Sequence, residues 1–156
     1  MKEYIQLYLS HDKSYYPIYR KFPSVWHLNH FLEGDYRLSD QDIFTKTLNY
    51  YNAHFVYNDF ENEMMYIGFA KWLIDEDIDG PPWDEFGDYI NQLDSCRISV
   101  DNLKEFVEKW LILKKELIFP FMLIYSNDND WVDCKGFETQ AEMESFIKNY
   151  QPEAVH

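Results

Sequence analysis

Two cysteines in 156 residues, Cys96 and Cys134, cannot build a disulfide framework, and their spacing matches no metal-binding motif. Five glycines leave no Gly-rich loop to cradle a phosphate. Long apolar runs are missing too. The longest, Leu111–Leu113 and Leu117–Ile124, fall far short of the roughly 20 residues that span a bilayer as a helix. The opening Met1-Lys2-Glu3-Tyr4 lacks the charged and apolar regions of a signal peptide. These absences predict a cytoplasmic protein with reduced thiols and no membrane segment. Basic residues are the remaining shortage: 14 Lys and Arg stand against 28 Asp and Glu, a formal net charge of −14. A field of that sign repels phosphate backbones and anionic lipid headgroups, so direct nucleic-acid and membrane binding are disfavoured. It attracts cations and basic proteins.

Apolar and aromatic residues are abundant. The chain is 46% hydrophobic, with 12 Phe, 13 Tyr and 5 Trp, enough apolar surface to offset the entropy of ordering. Its length fits a single compact domain over 1–156. The acidity is uneven. Residues 1–58 carry six acids and six bases, residues 59–94 carry eleven acids and only Lys71, and residues 95–156 carry eleven acids and seven bases. Most of the imbalance therefore sits in one quarter of the chain.

Periodicity predicts the elements. Residues 2–9 alternate Tyr4, Gln6, Tyr8 against Ile5, Leu7, Leu9, the pattern of a half-buried strand. Residues 10–23 read as a loop with Pro17 and Pro23, and a helix follows at 24–33, stopped by Gly34. Ser39 with Asp42 suggests a helix start, and the stripe Phe44, Leu48, Tyr51, Phe55 predicts a helix over 40–57. Met65, Phe69, Trp72 and Leu73 predict another over 61–75, ended before Gly80-Pro81-Pro82, with a short helix at 84–94. Asp101 as N-cap and the stripe Leu103, Phe106, Val107, Trp110, Leu111 mark a helix over 101–117. A β-hairpin follows from the apolar run 119–125, the turn 126–130 and the strand-like 131–134. Thr139 and Glu142 form a capping box for a C-terminal helix through Met143, Phe146, Ile147 and Tyr150. The order predicts an α+β fold: a small, mainly antiparallel sheet of the N-terminal strand and the late hairpin, packed against five or six helices.

Metal sites are incomplete on inspection. Residues 75–80 place acids at positions 1, 3 and 5 and Gly at 6 of a calcium-loop pattern, but Phe86 stands where position 12 needs a bidentate Glu. His27, His30 and Glu33 are spaced so that a helix would not bring all three to one face. Asp128, Asp130 and Asp133 line the hairpin turn, where Asp is favoured for local hydrogen bonding. No histidine has a neighbouring serine or cysteine that marks a nucleophile. No metal, cofactor or catalytic residue is predicted.

The segment 75–89 is the strongest candidate. It holds seven acids, Asp75, Glu76, Asp77, Asp79, Asp84, Glu85 and Asp88, no base, and the aromatics Trp83, Phe86 and Tyr89. Read blandly it is a solvated acidic loop and helix start. Read functionally it is an interface, with Trp83 as the aromatic anchor and the surrounding carboxylates steering a basic partner. Asp128, Asp130 and Trp131 form a second acidic and aromatic cluster.

In small size, strong acidity, aromatic richness, α+β build and absence of catalytic signatures, the chain resembles the bacterial immunity proteins that neutralise nuclease toxins, including those of contact-dependent growth inhibition. The resemblance is one of class, and no residue role is carried over from it. It implies a non-enzymatic inhibitor, monomeric or weakly dimeric, that binds a cognate nuclease domain by plugging its basic cleft with an acidic surface. Two other readings stay open: an acidic nucleic-acid mimic that inhibits a DNA-binding protein, and a small carboxylate-dependent enzyme.

Overall fold

The computed structural model describes residues 1–34, 42–127 and 129–151. They form an α+β fold of two four-stranded antiparallel sheets and four α-helices. The first sheet runs β2 (Tyr15–Pro17), β1 (Glu3–Leu9), β7 (Phe121–Ser126), β8 (Val132–Phe137). The second runs β3 (Leu48–Tyr50), β4 (His54–Asp59), β5 (Met64–Phe69), β6 (Ser95–Ser99). The helices are α1 (Trp26–Gly34), α2 (Phe86–Tyr89), α3 (Val100–Ile112) and α4 (Gln140–Lys148).

Each sheet is buried on both faces. The inner faces send Ile5, Leu7, Met122, Ile124 and Cys134 from one sheet, and Val56, Met65, Ile67, Cys96 and Ile98 from the other, into one central core. Helices α1 and α3 fill it, with Leu28 and Phe31 from the first and Leu103, Phe106 and Trp110 from the second. Trp110 is wholly buried, edge-on to Tyr15 with ring centroids 5.6 Å apart and stacked on Phe106 at 6.0 Å. The outer face of the first sheet packs Leu123, Tyr125 and Phe137 against Met143 of α4. The outer face of the second packs Phe55 and Tyr66 against Phe86 and Ile90, which lie in a strap running from Ala70 to Asp94.

The first strand, the hairpin and the helices α1, α3 and α4 stand where periodicity placed them. Thr139 Oγ1 accepts from the Glu142 N–H at 3.1 Å and caps α4. Helix α3 is capped two residues earlier than expected: Ser99, not Asp101, is its N-cap, accepting from the Asn102 N–H at 3.1 Å, and a π-turn at Leu113–Leu117 prolongs it. The predicted loop 10–23 contains the short β2.

The helices expected at 40–57 and 61–75 are strands, so four helices replace the expected five or six and two full sheets replace one small one. The start proposed at Ser39 lies outside the described residues; beyond it a 3-10 turn at Asp42–Phe44 leads into β3 and β4. The reason is double burial. A strand with apolar residues on both faces loses its period-two signature, and its side chains then match a helical stripe by coincidence. In β5, Met65 and Ile67 enter the central core while Met64 and Tyr66 face the outer cluster. The expected helix 84–94 is divided into a 3-10 turn (Trp83–Glu85), α2 and a second 3-10 turn (Ile90–Gln92).

Candidate functional site: an acid-rimmed cleft

The strap leaves β5 at Phe69, makes a 3-10 turn at Lys71–Leu73, loops out through the acids and returns across the sheet before joining β6. Gly80 is required where the loop folds back, because a Cβ there would stand 2.6 Å from Trp72 Cδ1. That approach forms a cleft of about 440 Å³ lined by half-buried Phe69, Trp72 and Leu93 and by exposed Ile78 and Tyr89. Exposed Asp79, Asp94 and Lys71 are its charged lining residues. The apolar groups around it are unusually open: Ile74 is 61% exposed, and Leu73, Ile78 and Tyr89 are exposed too.

All seven acids of 75–89 are exposed. Asp75, Glu76, Asp77 and Asp79 belong to the loop, Asp84 and Glu85 to the 3-10 turn, and Asp88 to α2. Asp75 Oδ1 accepts the Asp77 N–H at 3.0 Å, which turns the loop locally. Among the described residues none of the seven is in a salt bridge. Some acids elsewhere are matched: Asp133 takes Lys109 at 2.6 Å and Glu33 takes Lys114 at 2.7 Å. Burial, with the carboxylates of Asp59 and Asp88 adding to it, holds the Tyr57 phenol above its ordinary pKa at the edge of this field. The side chain of Trp83 lies outside what the structure describes.

The second cluster behaves differently. Asp128 lies outside the described residues, and Asp130 is tied to Lys2 Nζ at 2.7 Å, which neutralises it locally. Trp131 is half-buried and lines another cleft, of about 510 Å³, with Met64 and Ser99. Met64 pairs with Ser99 at one end of the β5–β6 ladder, whereas Phe69 and Asp94 bound the acidic cleft at the other. The second cleft also takes in Cys96 and Arg97, so the two clefts approach each other along β6, but they share no lining residue.

Among the described residues no group of three His, Cys, Asp or Glu side chains is placed to hold a metal ion. The histidine helix shows why. His27 Nε2 meets Asp94 Oδ1 at 3.1 Å, His30 Nδ1 meets His54 Nε2 at 2.8 Å, and Glu33 turns to Lys114 and the Tyr15 N–H. Burial pushes both thiols, Cys96 and Cys134, up to about 12, which makes them poor nucleophiles at neutral pH. Among the described residues no helix is long and apolar enough to cross a membrane.

Sequence reasoning found the acids and missed the cleft. In the sequence Phe69 and Trp72 read as part of a helical core stripe, and no local pattern connects them with Leu93 and Asp94. The available signal was Ile74 and Ile78 standing among acids with Pro81 and Pro82 close behind, a composition that a purely solvated loop does not need. No family model matches this chain, nor does any curated protein or solved structure.

Proposed function

We propose that the protein is an immunity-type inhibitor that binds a basic protein partner, a nuclease toxin domain, through the acidic cleft of residues 69–94. The observation that carries this reading is the union of two features in one strap: seven carboxylates in no salt bridge among the described residues, and a cleft lined by Phe69 and Trp72 with exposed Ile78 and Tyr89, to which Asp79 of the seven contributes. Unpaired like charges repel one another and oppose folding, so their retention is better explained by a partner that neutralises them. A nuclease supplies such a partner, because its phosphate-binding cleft is basic. Aliphatic stems and cationic heads of Lys or Arg fit a largely apolar lining that includes carboxylates. The compactness of the patch favours this over a nucleic-acid mimic, which needs carboxylates spaced along an extended surface.

The test is inhibition of a nuclease domain encoded beside this gene. An equimolar mixture should abolish its activity, and co-expression should restore growth. Replacing Asp77, Asp79 and Asp84 by Lys should slow association on the order of tenfold at low salt and flatten its salt dependence, since peripheral charges steer encounter. Tyr89→Ala should instead speed dissociation by about tenfold, the expected cost of losing an aromatic anchor. Protection retained in full by both variants would exclude this surface.

A further inference from the structure

An edge strand presents a row of unpaired main-chain groups, and proteins usually blunt such edges. Three of the four edges here are blunted. β2 and β3 are only three residues long, and β2 ends in Pro17. β8 has six residues, but its outward groups are occupied over its first half. The Val132 N–H donates to Asn102 Oδ1 and the Asn102 amide donates to the Val132 carbonyl, both at 2.8 Å, while the Cys134 N–H donates to Asp133 Oδ1 at 2.8 Å. Asn102 acts as a side-chain substitute for a neighbouring strand.

β6 has no such device. The Val100 N–H donates to the Glu63 carbonyl at 3.0 Å, continuing the register Met64↔Ser99 and Met65↔Ile98. Antiparallel alternation then turns the main-chain groups of Cys96 and Ile98 toward β5 and those of Ser95 and Arg97 outward. Among the described residues these outward groups have no hydrogen-bond partner. The edge opens into the second cleft, of about 510 Å³, which Arg97 and Ser99 line together with Val25, Trp131 and Val132. Arg97 is exposed; its Nε donates to the Tyr66 hydroxyl at 3.2 Å, and among the described residues no carboxylate pairs with it.

We propose that the free edge of β6 is a strand-addition site for an extended segment of a partner protein that carries an acidic residue between two apolar ones. A strand added beside β6 completes its outward hydrogen bonds. The residue opposite Arg97 shares its face of the sheet, where a carboxylate answers the guanidinium. Residues on either side point the other way, with Cys96 and Ile98, toward apolar Val25 and Val132. A second copy of this chain fits badly, because antiparallel self-pairing about Arg97 opposes two guanidinium groups in molecules that each carry −14. The edge begins at Ser95, directly after Asp94 in the lining of the acidic cleft, so one partner can occupy both. Strand addition itself rests on main-chain groups and not on the seven carboxylates.

Amide hydrogen exchange and NMR titration with the peptide acetyl-Thr-Val-Glu-Val-Thr-amide test it on the isolated protein. Without peptide, the Arg97 amide should exchange at least about tenfold faster than that of Ile98, which is held by β5. The peptide should shift and slow the Arg97 amide. Replacing its Glu by Lys should weaken binding by roughly three- to tenfold, and Arg97→Glu should reverse that preference. A peptide N-methylated at alternate residues should not bind. Arg97→Pro should fold, since proline is tolerated where an edge N–H faces outward, and should lose the peptide; if it does not fold, the charge reversal and the N-methylated control decide. An Arg97 amide as slow as that of Ile98 in the free protein, or unmoved by the Glu peptide at millimolar concentration, overturns the proposal. Neither result touches the acidic cleft, whose role stands or falls with nuclease inhibition.

Discussion

The two sheets solve one problem, an apolar outer face, in two ways. On the first, α4 is a single amphipathic helix with its own N-cap, Glu142 in the first turn and Lys148 in the last, both matching the helix dipole. Lys135 covers Phe146, 4.7 Å from the ring centroid. On the second, the strap covers Phe55 and Tyr66 with 3-10 and α fragments, none of which has a side-chain cap. It buries Phe86 and Ile90 and leaves Ile74, Ile78 and Tyr89 open among unpaired acids. The same burial could be achieved by a helix like α4. What the strap adds is a surface, so its composition is explained by binding more readily than by folding.

Removing the anchor of each cover measures the difference. Phe86→Ala should destabilise by about 3–5 kcal/mol and Met143→Ala by about 2–5 kcal/mol in denaturant unfolding. Phe86 meets Phe55, Tyr57 and Trp72 with ring centroids 5.2 to 6.2 Å away, so its loss should also free the strap amides to exchange while those of α4 stay protected. Equal loss of protection in both covers would break the comparison. Trp110→Ala, in the core shared by both sheets, should cost about 3–5 kcal/mol and loosen both.

Alkaline pH probes the sheets through their two thiols, Cys96 in the second and Cys134 in the first. Their folded pKa values, about 12, lie above the unfolded value near 9. Between those limits the folded state holds more protons than the unfolded one, so stability is full below pH 9 and falls as pH rises. The loss should be on the order of 2 kcal/mol per thiol by pH 11. Neither thiol should react with an aromatic disulfide reagent in the native state. On mild heating Cys96 should react first, because the cover of its sheet is the looser; Cys134 reacting first would reverse the ranking.

Smaller effects refine the picture. Thr139→Ala should cost about 1 kcal/mol by deleting the cap of α4, a loss with no counterpart in the strap. Neutralising Asp77, Asp79 and Asp84 to Asn should raise stability by a few tenths of a kcal/mol at low ionic strength, and the gain should vanish in high salt. Removing Lys109, which pairs with Asp133, should lower it by about 0.5 kcal/mol. Destabilisation by the triple neutralisation would show that the acids serve the fold after all.

Sequence by itself determined the elements whose information is local. Helices α3 and α4 are legible because one face is apolar and one polar, and Thr139 and Glu142 announce a helix start. The hairpin is legible because a turn cluster divides two strand-like runs. The clustering of acids in 59–94 is a property of the chain alone, as is the shortage of cysteine. Tertiary structure decided the rest. β4 and β5 are buried on both faces, which erases the alternation that distinguishes a strand from a helix. The acidic cleft joins Phe69 and Trp72 to Tyr89, Leu93 and Asp94, and no local pattern encodes that contact. Asp130 reads in the sequence as an acid open to a partner, whereas in the fold Lys2, 128 positions away, holds it. Asn102 reads as an ordinary polar residue early in a helix, and only folding sets its amide against Val132 to close the start of the β8 edge while the edge of β6 stays open.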